Sequence, residues 1–186
     1  FSFIFEAMTW LAQVLLSGFL DRYPKLTMAI FESNATWLPA LIERCDRQFK
    51  LFRNERVAHL DRLPSDAFYN QCFIAFEGDE ATAFRQWDIY ENIGVWSSDA
   101  YHQDGADSWT AIQEMRRAKV PEAVQAKLLG DNARRMYGIE EHFFVREQAD
   151  IDRPAWFPTV DDKFHQWWQE EAEPRKHRGS FATNGT

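Results

Sequence analysis

The residues of this chain best equipped for chemistry lie at positions 97–105. There Ser97-Ser98-Asp99-Ala100-Tyr101-His102-Gln103-Asp104-Gly105 follows the apolar run Ile93-Gly94-Val95-Trp96. A buried strand that opens abruptly into hydroxyls, acids and an imidazole is leaving the core for a loop that must hold polar groups in place. Asp99 sits at that exit. At the C-terminal end of a parallel strand, a carboxylate can ligate a metal ion or serve as a general base. The same acid could instead cap the following helix or anchor a turn. His102 is a second candidate, either for orienting a substrate and the Asp99 carboxylate or as a plain hydrogen-bonding strut. Asp104 reads as part of an Asp-Gly turn with Gly105.

Elements must position these groups, and their order is legible. Residues 3–20 place Ile4, Met8, Leu11, Leu15 and Phe19 at helical spacing, which predicts a buried amphipathic helix rather than a membrane span or a signal peptide. Pro24 stops it, and the short run Leu26-Thr27-Met28-Ala29-Ile30-Phe31 predicts a buried strand. The polar stretch 32–36 leads into a helix opened by Trp37-Leu38-Pro39 and running to about residue 52, with Leu38, Leu41, Ile42, Cys45 and Phe49 inward. Residues 53–69 predict a loop with a helix start at Pro64-Ser65-Asp66, and Cys72-Phe73-Ile74-Ala75-Phe76 a second strand. A helix is predicted over residues 80–90, a third strand over 93–96, and a helix over 109–119 capped by Ser108. Two more follow, 122–129 ended by Gly130 and a short one ended by Gly138. Three strands alternating with helices predict an α/β fold with a parallel sheet. Such a sheet needs cover on both faces, so three strands read as part of a larger one.

Composition narrows the function. The net charge of −8, with its one basic cluster at residues 175–178, excludes nucleic acid as the main partner, because phosphate binding needs clustered Lys and Arg. Cys45 and Cys72 fall in a helix and a strand, read as small core residues and predict a reducing, cytoplasmic setting without disulfides. Eight Trp and sixteen Phe in 186 residues point to thick aromatic packing, a lined pocket or an interface. No nucleophile elbow or Gly-rich phosphate loop is present.

Three stretches together carry a resemblance. They are S-G-F-L-D-R-Y-P-K-L-T-M-A-I-F-E-S-N-A-T-W-L-P-A-L-I-E-R-C-D at 17–46, S-S-D-A-Y-H-Q-D-G at 97–105 and K-L-L-G-D-N-A-R-R-M-Y-G at 127–138. In order and spacing the chain resembles the C-terminal half of metal-dependent amidohydrolase-related proteins, in the branch that includes aminocarboxymuconate semialdehyde decarboxylase. The resemblance implies a (β/α)8 TIM-type barrel, of which residues 1–150 supply the last three strand-helix units. Residues 151–186 are expected to form an aromatic C-terminal extension with a disordered tail, wrapping the barrel or a neighbouring subunit.

It also implies a divalent metal, zinc or alternatively manganese, with Asp99 as the ligand and proton-handling acid of the last strand. His102 matches the His that follows this Asp in the family, although Ala100-Tyr101 replaces the usual aromatic-Pro step. Glu32 occupies the position of a catalytic His in many members; a carboxylate can bind metal or move a proton, without the near-neutral pKa of imidazole. Its plainer role is that of an acid near a helix N-terminus. Trp37 and Trp96 flank the loops as candidate substrate-lining residues, or as core. Glu77, at the exit of the second strand, reads as a solvated loop acid or as a fourth group at the same mouth.

The implied activity is metal-dependent hydrolysis or non-oxidative decarboxylation of a small carboxylated or cyclic organic substrate. Nucleic acid and membranes are not expected partners. A homo-oligomer is expected, and the first half of the barrel would be required to complete the site. The competing reading is a non-catalytic barrel relative used for binding or assembly.

Overall fold

All three expected strands form, and they pair in parallel in chain order. The computed structural model describes residues 1–100, 102 and 105–139. In it β1 (Met28–Ile30), β2 (Cys72–Phe76) and β3 (Gly94–Trp96) make one sheet with β2 in the middle. The register runs Met28 opposite Cys72 and Ile30 opposite Ile74, then Ile74 opposite Gly94 and Phe76 opposite Trp96. Parallel neighbours require a crossover between them, and helices supply it: α3 (Leu38–Phe52) and α4 (Pro64–Gln71) join β1 to β2, α5 (Ala81–Arg85) and α6 (Trp87–Tyr90) join β2 to β3. Preceding β1 are α1 (Ser2–Leu16) and α2 (Phe19–Arg22); following β3 are α7 (Ser108–Arg117), α8 (Glu122–Ala126), a π turn (Lys127–Asp131) and α9 (Asn132–Tyr137). The three-strand, helix-covered part of the expected architecture is present.

Burial follows strand position. Every residue of β2 is buried, as befits the central strand with a neighbour on each side. On β1 only Ile30 is buried, with Met28 and Ala29 half-buried. From α3, Leu38, Ile42, Cys45 and Phe49 turn inward at helical spacing. Burying an apolar side chain of that size contributes about 1.5–3 kcal/mol, so this one face fixes the helix against α1 and α4.

Four expectations are corrected. The helix over residues 3–20 is broken at Ser17 and Gly18, and only its second half is buried: Leu11, Leu15 and Leu20 lie in the core, whereas Phe3 and Phe5 are 72% and 62% exposed. The helix over 80–90 is two short ones, divided at Gln86. The cap of α7 is Asp107, whose Oδ1 accepts the Thr110 N–H at 2.8 Å; Ser108 is the first helical residue.

Gly130 does not end a helix either. The chain stays helical from Glu122 to Tyr137 and stops at Gly138, which has φ 66°. Packing outweighs the roughly 1 kcal/mol propensity cost of that glycine. Val124, Leu128 and Asn132, four residues apart, are the buried positions of this segment, and Asn132 donates to Glu91 O at 2.9 Å and Gly94 O at 2.8 Å. The close approach needs Gly94, where a Cβ would stand 2.9 Å from Leu128 Cδ2 and 3.0 Å from Tyr90 O. The boundary expected at residue 150 and the aromatic extension lie outside the described residues.

Candidate functional site

The loops that follow the three strands carry the candidate residues. After β3 the ladder extends by one bond, Ser97 N–H to Phe76 O at 2.9 Å, and then the chain turns sharply. Asp99 takes φ 47°, a left-handed conformation that costs a non-glycine residue about 1 kcal/mol or more and is found where surrounding structure imposes it. What imposes it here is contact within the loop. The His102 N–H donates to Asp99 O at 3.0 Å and the Gly105 N–H to His102 O at 3.2 Å. At Gly105 a Cβ would stand 2.5 Å from Asp99 O and 2.9 Å from Ser98 O, so only glycine permits the chain to return this close.

The side chains meet as well. His102 Nδ1 lies 2.9 Å from Asp99 Oδ2, with the imidazole 62% and the carboxylate 35% exposed. Sequence reasoning placed these two groups near one another, and the turn brings them into contact. A carboxylate paired with an imidazole in a solvent-accessible loop can hold a proton between them and orient either group. Trp96 packs half-buried against the core; its indole Nε1 is buried and has no hydrogen-bond partner among the described residues.

The turn after β1 is built differently. Glu32 is exposed at φ 54°, and Asn34 is also left-handed at φ 56°. Between them Ser33 is buried, its Oγ lacking a partner among the described residues. The Trp37 indole N–H donates to Ser33 O at 2.7 Å, and the ring packs against the core. From the loop after β2, Glu80 reaches across: its Oε2 accepts the Ala35 N–H at 2.8 Å and the Thr36 N–H at 3.2 Å, while Oε1 accepts the Glu77 N–H at 3.0 Å. Tyr90, fully buried, donates its O–H to Ala35 O at 2.8 Å. Burial pushes the Glu80 carboxyl above the ordinary value of 4.5, and hydrogen bonds from Ala35, Glu77, the Asn34 side chain and Thr36 draw it part of the way back.

Glu80 and Tyr90 were missed by sequence reasoning. For Glu80 the only signal was an acid at the start of a predicted helix; for Tyr90 it was a hydroxyl on an apolar helix face, which needs a partner when buried. Glu77 is half-buried, engaged through its backbone N–H by Glu80. Asp104 lies outside the described residues.

Among the described residues, no group of three or more His, Cys, Asp or Glu converges to hold a metal ion. Asp99 and His102 are together, and Glu32 is not joined to them. The described loops therefore offer one carboxylate fit to ligate a cation, at Asp99, rather than a full ligand set.

The sequence model of a family described as amidohydrolase (Amidohydro_2) matches residues 1–139. The chain belongs to the amidohydrolase family. That match spans every element from α1 to α9, including both left-handed turns. No protein of curated function matches the chain. Two solved structures share the fold: an amidohydrolase, map2389c, from Mycobacterium avium subsp. paratuberculosis K-10, at TM-score 0.55 and 19% identity, and the 5-carboxyvanillate decarboxylase LigW from Sphingomonas paucimobilis, at TM-score 0.54 and 24% identity. Each alignment covers 68% of this chain, and 32% and 38% of the two neighbours respectively. The chain thus matches about a third of the length of these amidohydrolase-type structures. Amidohydrolases generally bind a divalent metal.

Proposed function

We propose that this amidohydrolase chain supplies the closing side of the active site of a metal-dependent enzyme, a hydrolase or non-oxidative decarboxylase acting on a small carboxylated or cyclic organic substrate. In this reading β1, β2 and β3 are the last three strands of a (β/α)8 barrel, whose catalytic groups stand at the C-terminal strand ends. The observation that supports it is Asp99: an acid at the end of β3, held left-handed and bonded to His102, in a chain of this family.

Asp99 is the residue that would hold a divalent ion, zinc or alternatively manganese, since a bond from His102 to one oxygen leaves a carboxylate able to ligate through the other. A bound divalent ion supplies Lewis acidity, polarising a substrate carbonyl or carboxylate and lowering the pKa of water. The protein groups do the rest. His102 fixes the Asp99 carboxylate and shares any proton delivered to it across 2.9 Å. Glu32, exposed in the turn after β1, would assist proton movement. Trp37 and Trp96 back the two loops and would line the substrate side of the site.

The test is metal content and turnover of the intact protein, with carboxylated aromatics including 5-carboxyvanillate as probes. Roughly stoichiometric divalent metal, and a loss of about 10²–10⁴-fold in turnover for Asp99→Ala with the fold retained, are expected. Full activity of Asp99→Ala overturns the assignment. Intact protein that is metal-free and turns over no probe favours the binding or assembly reading instead.

A further inference from the structure

We propose that Glu80 is a positioning residue of the site, locking the turn that carries Glu32 to the loop after β2 through the backbone of residues 34–36. The proposal rests on the role given to Glu32 above.

A buried carboxylate costs several kcal/mol unless its lone pairs are filled. Glu80 is 8% exposed, and its two oxygens take three backbone N–H groups from two different loops. Two of those donors, Ala35 and Thr36, are 45 and 44 residues away in sequence. An apolar side chain would fill this space without the desolvation cost, so the carboxylate is there to hold backbone. The peptide it holds is gripped on both sides, because Tyr90 donates to the carbonyl of the same Ala35 whose N–H Glu80 accepts.

The grip matters because the turn is strained. Glu32 and Asn34 both carry positive φ, and a turn with two such residues relaxes unless its surroundings over-determine it. Residue 35 is where this is done: Ala35 is fully buried, and its Leu38 N–H to Ala35 O bond of 3.0 Å also starts the turn into α3. With Ala35 fixed, the turn that carries Glu32 is tied at its far end. Since Oε1 of Glu80 holds the Glu77 N–H, the turns after β1 and β2 move as one body.

The experiment uses the intact protein and compares wild type, Glu80→Gln, Glu32→Gln and the double variant. In Glu80→Gln the one remaining oxygen can serve either Ala35 and Thr36 or Glu77, and the NH2 group faces the other N–H. Amide exchange on at least one side, at Ala35 and Thr36 or at Glu77, is therefore expected to accelerate at least tenfold while that at Ile74 is unchanged. Exchange at Ala35, Thr36 and Glu77 that stays at the wild-type rate throughout overturns the lock. Kinetically, Glu80→Gln is expected to lower kcat about tenfold with KM little altered, and to add nothing further in the Glu32→Gln background. Equal losses in both backgrounds overturn the positioning role. Wild-type turnover by Glu32→Gln alone overturns Glu32's role and the catalytic part of this proposal with it, and leaves the exchange data to decide the lock separately. Should Glu80→Gln fail to fold, Tyr90→Phe, which removes one of two bonds to the Ala35 carbonyl, carries the same two readings with smaller changes.

Discussion

The turns after β1 and β3 each put an acid at a strand end in the left-handed region, and they hold it by opposite means. Asp99 is fixed by its own loop: bonds from His102 and Gly105, and a glycine close against the Asp99 carbonyl, all within seven residues. Glu32 is fixed from outside, through Ala35 and Thr36, by side chains of the β2 loop and α6. A self-contained loop can be altered without disturbing the sheet. One latched by distant residues shares its stability with everything those residues support.

Mutation can break this contrast, and the largest effect is expected at the latch. Glu80→Ala strands three N–H groups, two of them in the turn after β1, and is expected to lower the unfolding free energy of the intact protein by about 3 kcal/mol in urea titrations; an unshifted midpoint contradicts the latch. Gly105→Ala comes next. A Cβ cannot sit 2.5 Å from Asp99 O, so the loop must open, at about 1–3 kcal/mol, with turnover lost before the strands weaken in hydrogen exchange. Exchange accelerating across β2 as well would show that this loop is not self-contained.

His102→Ala removes an exposed pair and is expected to change stability by no more than about 0.5 kcal/mol while reducing turnover about 10–100-fold. A large stability loss with intact turnover would reverse its place in the contrast.

The smallest effect is one of pH. Because burial raises the Glu80 carboxyl, the folded chain binds that proton more tightly than the unfolded one. Its contribution is therefore complete below the ordinary 4.5 and is lost as pH rises through the raised value. Urea midpoints measured upward from pH 4 should show that decline in wild type and lack it in Glu80→Gln; identical profiles would refute it.

What the sequence disclosed follows the same division between local and distant causes. The strand centres were legible because short apolar runs bounded by turn residues have few other fates, and α3 because its inward positions keep helical spacing over about three turns. Asp99 and His102 were legible because the turn that joins them is local. Glu32 drew attention only through a family resemblance, and Glu80 not at all, since its partners lie more than forty residues away. Where two residues could each serve, as Asp107 and Ser108 for the cap of α7, local propensity did not choose between them. Where a packed face outweighed propensity, as at Gly130, the expected helix end disappeared.

The two cysteines give the chain a built-in reporter. Cys45 in α3 and Cys72 at the start of β2 are both buried, with thiols pushed up to about 11 and about 12 mainly by burial, so neither is a thiolate at neutral pH. A thiol-specific reagent can reach them only when the surrounding structure opens. The two labelling rates thus become separate stopwatches, one for the helix behind the β1 turn and one for the central strand, running in the unmodified protein without any engineered probe.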